Sequence, residues 1–172
     1  MNSLIKDSAV EYAFLVGSRL WGTFRQGSDS DYYVILHNNK KITVSDDCTV
    51  LCHDEWLEKV KNGDFMPVIC MFLPRDNVLK GWETYDTFRK TIQIDYVAFK
   101  RGLQYRMDKD CKYIAKNTQK GKLERATKTR KHSYITQFIG DKLMDYLGPP
   151  ISLTTIGLRD LPQYLTENFF SV

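Results

Sequence analysis

The chain has 172 residues, 42% of them hydrophobic, and a formal net charge of +4. A chain of this size can bury a sizeable core by itself, and no apolar run approaches the roughly 20 residues that a membrane-spanning helix needs. Residues 1–7 lack the layout of a signal peptide. The sequence therefore predicts a single domain, residues 1–172, in the cytoplasm and without a membrane partner.

The first predicted elements are two strands joined through a tight turn. Residues 11–16 are apolar and β-prone, and Asp31–Leu36 has the same character. Between them, Gly17 permits a sharp turn and Ser18 is a good N-cap for a short helix. The N–H groups at the start of that helix, the positive end of its dipole and the Ser18 hydroxyl would form an anion site suited to a triphosphate.

Asp29 and Asp31 stand two residues apart at the start of the second strand. Side chains at this spacing in a strand point to the same side, so the two carboxylates can converge on one divalent cation. A solvated turn also explains an Asp-x-Asp beside Ser and Gly. The motif occurs as well in many sugar-nucleotide glycosyltransferases, but these need a larger upstream domain than the 28 residues that precede Asp29.

The joint spacing of Gly-Ser and Asp-x-Asp resembles the polymerase-β-like nucleotidyltransferase superfamily. Within it, the pattern is most similar to the predicted nucleotidyltransferases that include RNA-repair-pathway polymerase-β-like proteins, which tend to read Gly-Ser-Arg-x-aromatic-Gly and then Ser-Asp-x-Asp-Tyr. Residues 17–22 read GSRLWG and residues 28–32 read SDSDY. The resemblance implies two sets of site residues: for the nucleotide, Gly17, Ser18, Arg19 and Ser28, and for Mg²⁺ or Mn²⁺, Asp29 and Asp31.

A third acid is expected from one of two places. Residues 42–44 and Cys48–Cys52 are strand-like and are separated by an acidic turn. A two-metal transfer needs a further carboxylate near the attacking hydroxyl. The resemblance implies that Asp47 is this metal-binding and catalytic acid, although a simple polar turn also explains it. Asp95, in the apolar stretch 92–97, is the rival, since apolar strands interrupted by an Asp carry the third acid in many relatives.

Cys48, Cys52 and His53 are close enough in sequence to raise the alternative of a zinc site. The two cysteines fall in an apolar, β-like stretch. Reduced core cysteines therefore fit this segment better than metal ligands.

The middle of the chain reads as mainly helical. Residues 53–62 predict a helix that ends at Gly63, and residues 66–73 are the most continuously apolar run, with packing as the expected role. Residues 75–84 read as a polar connector, and residues 85–115 have helix-like spacing with mixed charge.

Residues 116–132 hold seven Lys or Arg against one Glu, with Gly121 predicted to separate two helices. The second helix is expected from residue 122 to about residue 146, with Leu123, Ala126, Ile135, Phe138 and Leu143 available for the core. Lys128, Lys131 and His132 fall within about one turn of each other. The same branch tends to carry Lys-x-x-Lys-His on a helix, which implies that these three side chains reach the nucleotide phosphates. The Arg that usually follows there is Ile135 in this chain, and a solvated face is the alternative.

The predicted fold is α/β (α+β), a small mixed twisted sheet of the nucleotidyltransferase type packed against several helices. Residues 1–75 would form the catalytic sheet core and residues 76–172 a mainly helical part, with a short helix over residues 158–170. The resemblance implies a metal-dependent enzyme that transfers a nucleoside monophosphate from an NTP such as ATP to a hydroxyl and releases pyrophosphate.

The acceptor is the most open part of this prediction. The basic segment, with Arg19, Arg25 and Arg130, favours an RNA end, tRNA included. One alternative is an antitoxin-type enzyme that adenylylates a protein. Another is a non-catalytic nucleotidyltransferase fold that binds RNA or protein, against which the intact Asp29 and Asp31 argue, because a decayed site is expected to lose costly like charges.

Overall fold

The computed structural model describes residues 6–22, 26–37 and 47–147. The predicted strand over residues 42–44, Arg25 and the predicted helix over residues 158–170 lie outside these ranges. The described strands are β1 Val10–Val16, β2 Asp31–Leu36, β3 Cys48–Cys52 and β4 Val78–Lys80. The described α-helices are α1 Gly17–Leu20, α2 His53–Lys61, α3 Phe65–Ile69, α4 Trp82–Arg89, α5 Tyr96–Gln119 and α6 Leu123–Leu147.

The four strands form one mixed sheet in the order β3-β2-β1-β4. Strand β1 runs antiparallel to β2, with Val16 opposite Asp31, and antiparallel to β4. Strands β2 and β3 are parallel, with Tyr32 opposite Cys48. The end of β1 therefore meets the beginnings of β2 and β3 at one edge of the sheet. A mixed sheet combined with helices agrees with the predicted α/β class.

The main core lies between one face of the sheet and the helices. Tyr12 and Phe14 of β1 are buried there, with the Phe14 ring 5.2 Å from that of Tyr85 and the Tyr12 ring 5.8 Å from that of Trp56. Aromatic pairs at such distances contribute beyond their buried area. The intervening residue Ala13 belongs to a smaller cluster on the opposite face. This alternation is the period of two that a strand imposes.

The apolar run near the middle of the chain is confirmed as a packing element. Helix α3 continues into a 3₁₀ turn, Cys70–Phe72, and the residues from Val68 to Leu73 are buried. The Tyr85 hydroxyl donates a hydrogen bond to the Cys70 carbonyl. This bond ties α4 to the buried segment, and burial raises the pKa of Tyr85 above its usual range.

Gly121 separates helices α5 and α6, as predicted, and the two helices pack against each other as a hairpin. Gly121 has a φ of +67°, in the left-handed region that favours glycine. Ala126, Ile135 and Leu143 are buried as expected. The prediction of a core role for Leu123 was wrong, because this residue begins α6 at the tip of the hairpin and 63% of it is exposed.

Two predictions for the connecting segments were also wrong. The polar connector over residues 75–84 contains β4, a strand of three residues that is too short to show an alternating pattern. The region with helix-like spacing beyond it does contain helices, α4 and α5. The stretch 92–97 is not a strand, because residues 92–95 have no regular structure and α5 begins at Tyr96.

Candidate active site

The turn after β1 places a glycine directly against Asp31. Gly17 has a φ of +67° and begins α1, while its neighbour Val16 pairs with Asp31 in the sheet. A Cβ atom added at Gly17 would lie 1.8 Å from Oδ2 of Asp31. Glycine is therefore required here both for its backbone conformation and because the Asp31 carboxylate occupies the space of a side chain.

The helix that follows this turn differs from the prediction. Val16, in an extended conformation, is the N-cap residue of α1, so Ser18 lies inside the helix, and among the described residues no side chain caps it. Helix α1 is only four residues long, and few peptide dipoles add along a single turn. The prediction of Ser18 as N-cap was wrong, and the helix-dipole argument for a triphosphate site is correspondingly weaker. Arg19 is exposed on α1.

The three predicted acids lie at the same edge of the sheet, called here the carboxylate edge and defined by Gly17, Asp29, Asp31 and Asp47. Asp31 begins β2, and Asp29 is exposed in the loop before it, next to the half-buried Ser28. Asp47 is exposed just ahead of β3, and its carbonyl accepts a hydrogen bond of 2.9 Å from the Tyr32 N–H. The parallel pairing of β2 and β3 thus brings Asp47 to the edge where Asp31 lies, although strand β2 and the loop after it separate the two acids in the sequence.

The carboxylate of Asp31 is electrostatically coupled to the other two acids. Burial is the main cause that raises the pKa of Asp31 above its ordinary value, and the negative charges of Asp47 and Asp29 raise it further. Lys128 and protonated His132 oppose this effect. A half-buried acid with a raised pKa and specific charge partners is typical of functional sites.

Helix α6 supplies the positive side of the site. Lys128 and His132 are one turn apart and both act on Asp31, which lies almost a hundred residues earlier in the chain. Lys131 is half-buried, and its charge acts on His132. Loss of hydration, followed by the charges of Lys128, Lys131 and Arg106, lowers the pKa of His132 below its ordinary value. His132 is therefore mainly neutral at pH 7 and offers a hydrogen-bonding ring nitrogen rather than a charge.

The rival acid Asp95 has a different role in the structure. It is the N-cap residue of α5, and its Oδ1 accepts hydrogen bonds from the N–H groups of Val97 at 2.7 Å and Ala98 at 3.1 Å. Among the charges of the described residues, Asp47 and not Asp95 acts on Asp31. The geometry thus favours Asp47 as the third acid.

Two residues of the site, Arg106 and Asp110 of α5, were not predicted from the sequence. Asp110 is only 6% exposed, pairs with Arg106 at 3.4 Å, and partly offsets the effect of the surrounding cations on His132. The i, i+4 spacing of the pair was a visible signal, but such pairs are common on solvated helices. Burial of Asp110 depends on how α5 packs against α6.

The donor atoms of the carboxylate edge suit Mg²⁺ or Mn²⁺. Mg²⁺ is commonly bound by one or two carboxylates together with substrate phosphates, and a cation would relieve the repulsion that acts on Asp31. Across residues 6–22, 26–37 and 47–147, no group of three or more His, Cys, Asp or Glu is arranged to hold a metal ion. The fit rests on the chemistry of the carboxylates.

The zinc alternative has no support from the geometry. Cys48 and Cys52 are half-buried free thiols. His53 Nδ1 lies 2.7 Å from Oε2 of Glu11, so this ring pairs with a carboxylate at the opposite edge of the sheet.

In the part of the chain that the structure describes, no helix is both long and apolar enough to cross a membrane.

Comparisons with family models, with curated proteins and with solved structures gave no match for this chain. The fold is a mixed four-stranded sheet packed against helices, with an acidic site at one sheet edge that faces two side chains of a long helix.

Proposed function

We propose that the protein is a metal-dependent nucleotidyltransferase, which moves a nucleoside monophosphate from an NTP to an acceptor hydroxyl and releases pyrophosphate. The observation that supports it best is the convergence on Asp31. Gly17 lies against its carboxylate, and the charges of Asp29, Asp47, Lys128 and protonated His132 all act on it, although these residues come from four separate parts of the sequence.

The NTP would lie between the turn at Gly17 and helix α6. In this position the β and γ phosphates meet the backbone of the turn, where Arg19 and Ser28 border them. Lys128 would hold phosphate oxygens by charge-assisted hydrogen bonds, which are roughly twice as strong as neutral ones. His132, neutral at pH 7, would add a hydrogen bond without adding charge.

Asp29, Asp31 and Asp47 would hold Mg²⁺ against the triphosphate. The ion would polarise the α-phosphate and stabilise the attacking and leaving oxygens. In the transfer, the acceptor oxygen forms a bond to the α-phosphorus while the bond to pyrophosphate breaks. Asp47, which is exposed, would accept the proton of the acceptor hydroxyl. Lys128 and Lys131 would neutralise charge on the departing pyrophosphate.

We propose an RNA end as the acceptor. The basic character of α5 and α6 supports this choice, because the same hairpin that presents Lys128 also carries many further cations. A reaction that consumes NTP and requires Mg²⁺ also fits the cytoplasmic location expected from the sequence.

The test is incubation of the protein with labelled NTPs, Mg²⁺, bulk RNA and cell lysate, with the Asp31→Asn variant as control. Label in RNA that depends on Asp31 supports the proposal in full. Label in protein supports nucleotidyl transfer with a protein acceptor and replaces RNA as the substrate. No label in any fraction, with each NTP and with Mn²⁺ in place of Mg²⁺, would overturn the proposed chemistry and leave a binding role for the fold.

A further inference from the structure

The charges of the chain are divided unevenly between its parts. The chain has 25 Lys and Arg, and twelve of them lie in residues 96–131. Only three of its 21 Asp and Glu lie in the same segment. This segment, which comprises α5 and the first part of α6, thus carries a net charge of +9, while the remainder of the chain is net negative. A polyanion is the partner that such a concentration of charge attracts.

The hairpin also presents aromatic rings to solvent. Tyr105, Tyr113 and Tyr134 are all exposed on it, the last with 38% of its surface accessible. Exposed rings set among cations are the combination with which proteins hold single-stranded nucleic acid, because the bases stack on the rings while the cations follow the phosphates.

One of these rings lines an open groove between the two helices. The groove has a volume of about 690 Å³ and a mainly apolar lining that includes Met107 and Ile114 of α5. Arg130 and Tyr134 of α6 also line it and are one turn apart. A base could enter the apolar part beside Tyr134 while its phosphate meets Arg130.

The groove and the carboxylate edge are on opposite sides of α6. At 3.6 residues per turn, Arg130 and Tyr134 project nearly opposite to Lys128 and His132, and Lys131 projects midway between them. A single-stranded nucleic acid can therefore pass from the groove around α6 at Lys131 and end beside Asp31. A helix is about 10–12 Å across with its side chains, so this path needs only a few nucleotides.

We infer that the α5–α6 groove, with Arg130 and Tyr134, holds the body of a single-stranded nucleic acid whose end enters the carboxylate edge. The delivery of that end to a reaction rests on the proposed function. The binding itself does not, because the groove is separate from the acids that would perform the chemistry.

The experiment measures binding of a labelled 12-nucleotide single-stranded oligoribonucleotide by fluorescence anisotropy, with the Asp31→Asn variant and without NTP. In this background, Tyr134→Ala should weaken binding by about 5-fold or more, the loss typical of one stacked base. Arg130→Gln should weaken it too, and the slope of log affinity against log salt should become shallower by about 0.7. The matched controls are Leu79→Ala, an exposed apolar side chain on β4 outside the hairpin, and Lys61→Gln on α2, and both should stay within 2-fold.

Several results would overturn the inference. Equal affinity in the two groove variants and the two controls would show that the groove makes no contact. A double strand that binds as tightly as the single strand would exclude stacking. Self-association in sedimentation that Tyr134→Ala abolishes, with nucleic-acid affinity unchanged, would make the groove a protein interface.

Two further outcomes support it. An oligodeoxyribonucleotide that binds with the same dependence on Tyr134 keeps the site and widens it to either sugar. A dinucleotide that binds equally well to the Asp31→Asn protein with and without Tyr134→Ala indicates that only longer strands reach the groove. Because these measurements need no turnover, failure of the labelled-NTP reaction leaves them intact, and their failure leaves that reaction intact.

Discussion

The two edges of the sheet hold acidic residues in opposite electrostatic settings. At the edge away from Gly17, Glu11 is paired with His53 Nδ1 at 2.7 Å and lies 3.7 Å from His37 Nδ1. Burial and the adjacent Glu11 raise the pKa of Tyr12 to about 12, so this tyrosine stays neutral. At the carboxylate edge, by contrast, acids are coupled to other acids.

This difference separates a structural acid from a candidate catalytic one. A carboxylate that is paired with a hydrogen-bond donor contributes to stability. Carboxylates that lie close to one another repel, which destabilises the folded state unless a cation binds them. Of these two edges, as far as the described residues show, the carboxylate edge is the one where negative charges raise the pKa of a neighbouring carboxyl group. Such local conflict in an otherwise consistent fold is expected at functional sites.

The sharpest contrast between the edges is the matched pair Asp31→Asn and Glu11→Gln. Asp31→Asn should lower Mg²⁺-dependent NTP turnover by about 1000-fold or more, because the metal supplies several kcal/mol of transition-state stabilisation. Asp29→Asn should have a similar effect. Glu11→Gln should leave turnover nearly unchanged. Steady-state turnover of labelled NTP measures all three, and unchanged turnover in either Asp variant would sink the assignment of the site.

The second contrast is between the two candidates for the third acid. Asp47→Asn should depress the chemical step by about 100-fold or more with NTP affinity nearly kept, as expected for an acid that acts on the acceptor. Asp95→Asn should change little, since Asn replaces Asp well as an N-cap. Single-turnover kinetics separates binding from chemistry. The reverse ranking would mean that Asp95 is the catalytic acid.

The third contrast lies within α6. If Lys128 and Lys131 touch the triphosphate, replacement of either with Ala should weaken NTP binding about 10- to 100-fold, the value of one charged hydrogen bond. Calorimetry with NTP and Mg²⁺ but no acceptor measures this. The charge of Lys128 acts on Asp31, so replacement of Lys128 should weaken NTP binding more than replacement of Lys131. Flat NTP affinity in both single variants and in the double variant would reject the contact.

The smallest effect concerns stability against pH. Because the pKa of Asp31 is raised in the folded state, its protonated form favours folding, and this contribution is complete below about pH 4 and is lost as the pH rises through the folded pKa. Asp31→Asn should therefore gain stability relative to the native chain from pH 4 to pH 7. Urea unfolding in the presence of EDTA measures this difference.

The control for this experiment comes from the other edge. Glu11→Gln should lose about 1 kcal/mol at neutral pH, because it gives up a charge-assisted hydrogen bond to His53. Added Mg²⁺ should stabilise the native chain and not Asp31→Asn. A pH dependence that is the same in the native chain and in Asp31→Asn would show that Asp31 is not in conflict with its neighbours.

The sequence by itself determined the features that depend on local preference. Strand β2 and the packing segment near the middle of the chain followed from apolar runs, and the hairpin turn followed from Gly121. The helix α2 and its end at Gly63 were also predicted. These signals are local, because periodicity and turn chemistry act over only a few residues.

Only the tertiary structure decided between competing uses of similar residues. Asp47 and Asp95 are both acids beside apolar segments, but strand pairing brings the first to Asp31 while helix formation engages the second. Likewise, the placement of Lys128 and His132 opposite Asp31, the burial of Asp110 and the groove beside Tyr134 depend on the packing of α5 and α6. These contacts join residues far apart in sequence, and their energies come from packing that no local pattern records.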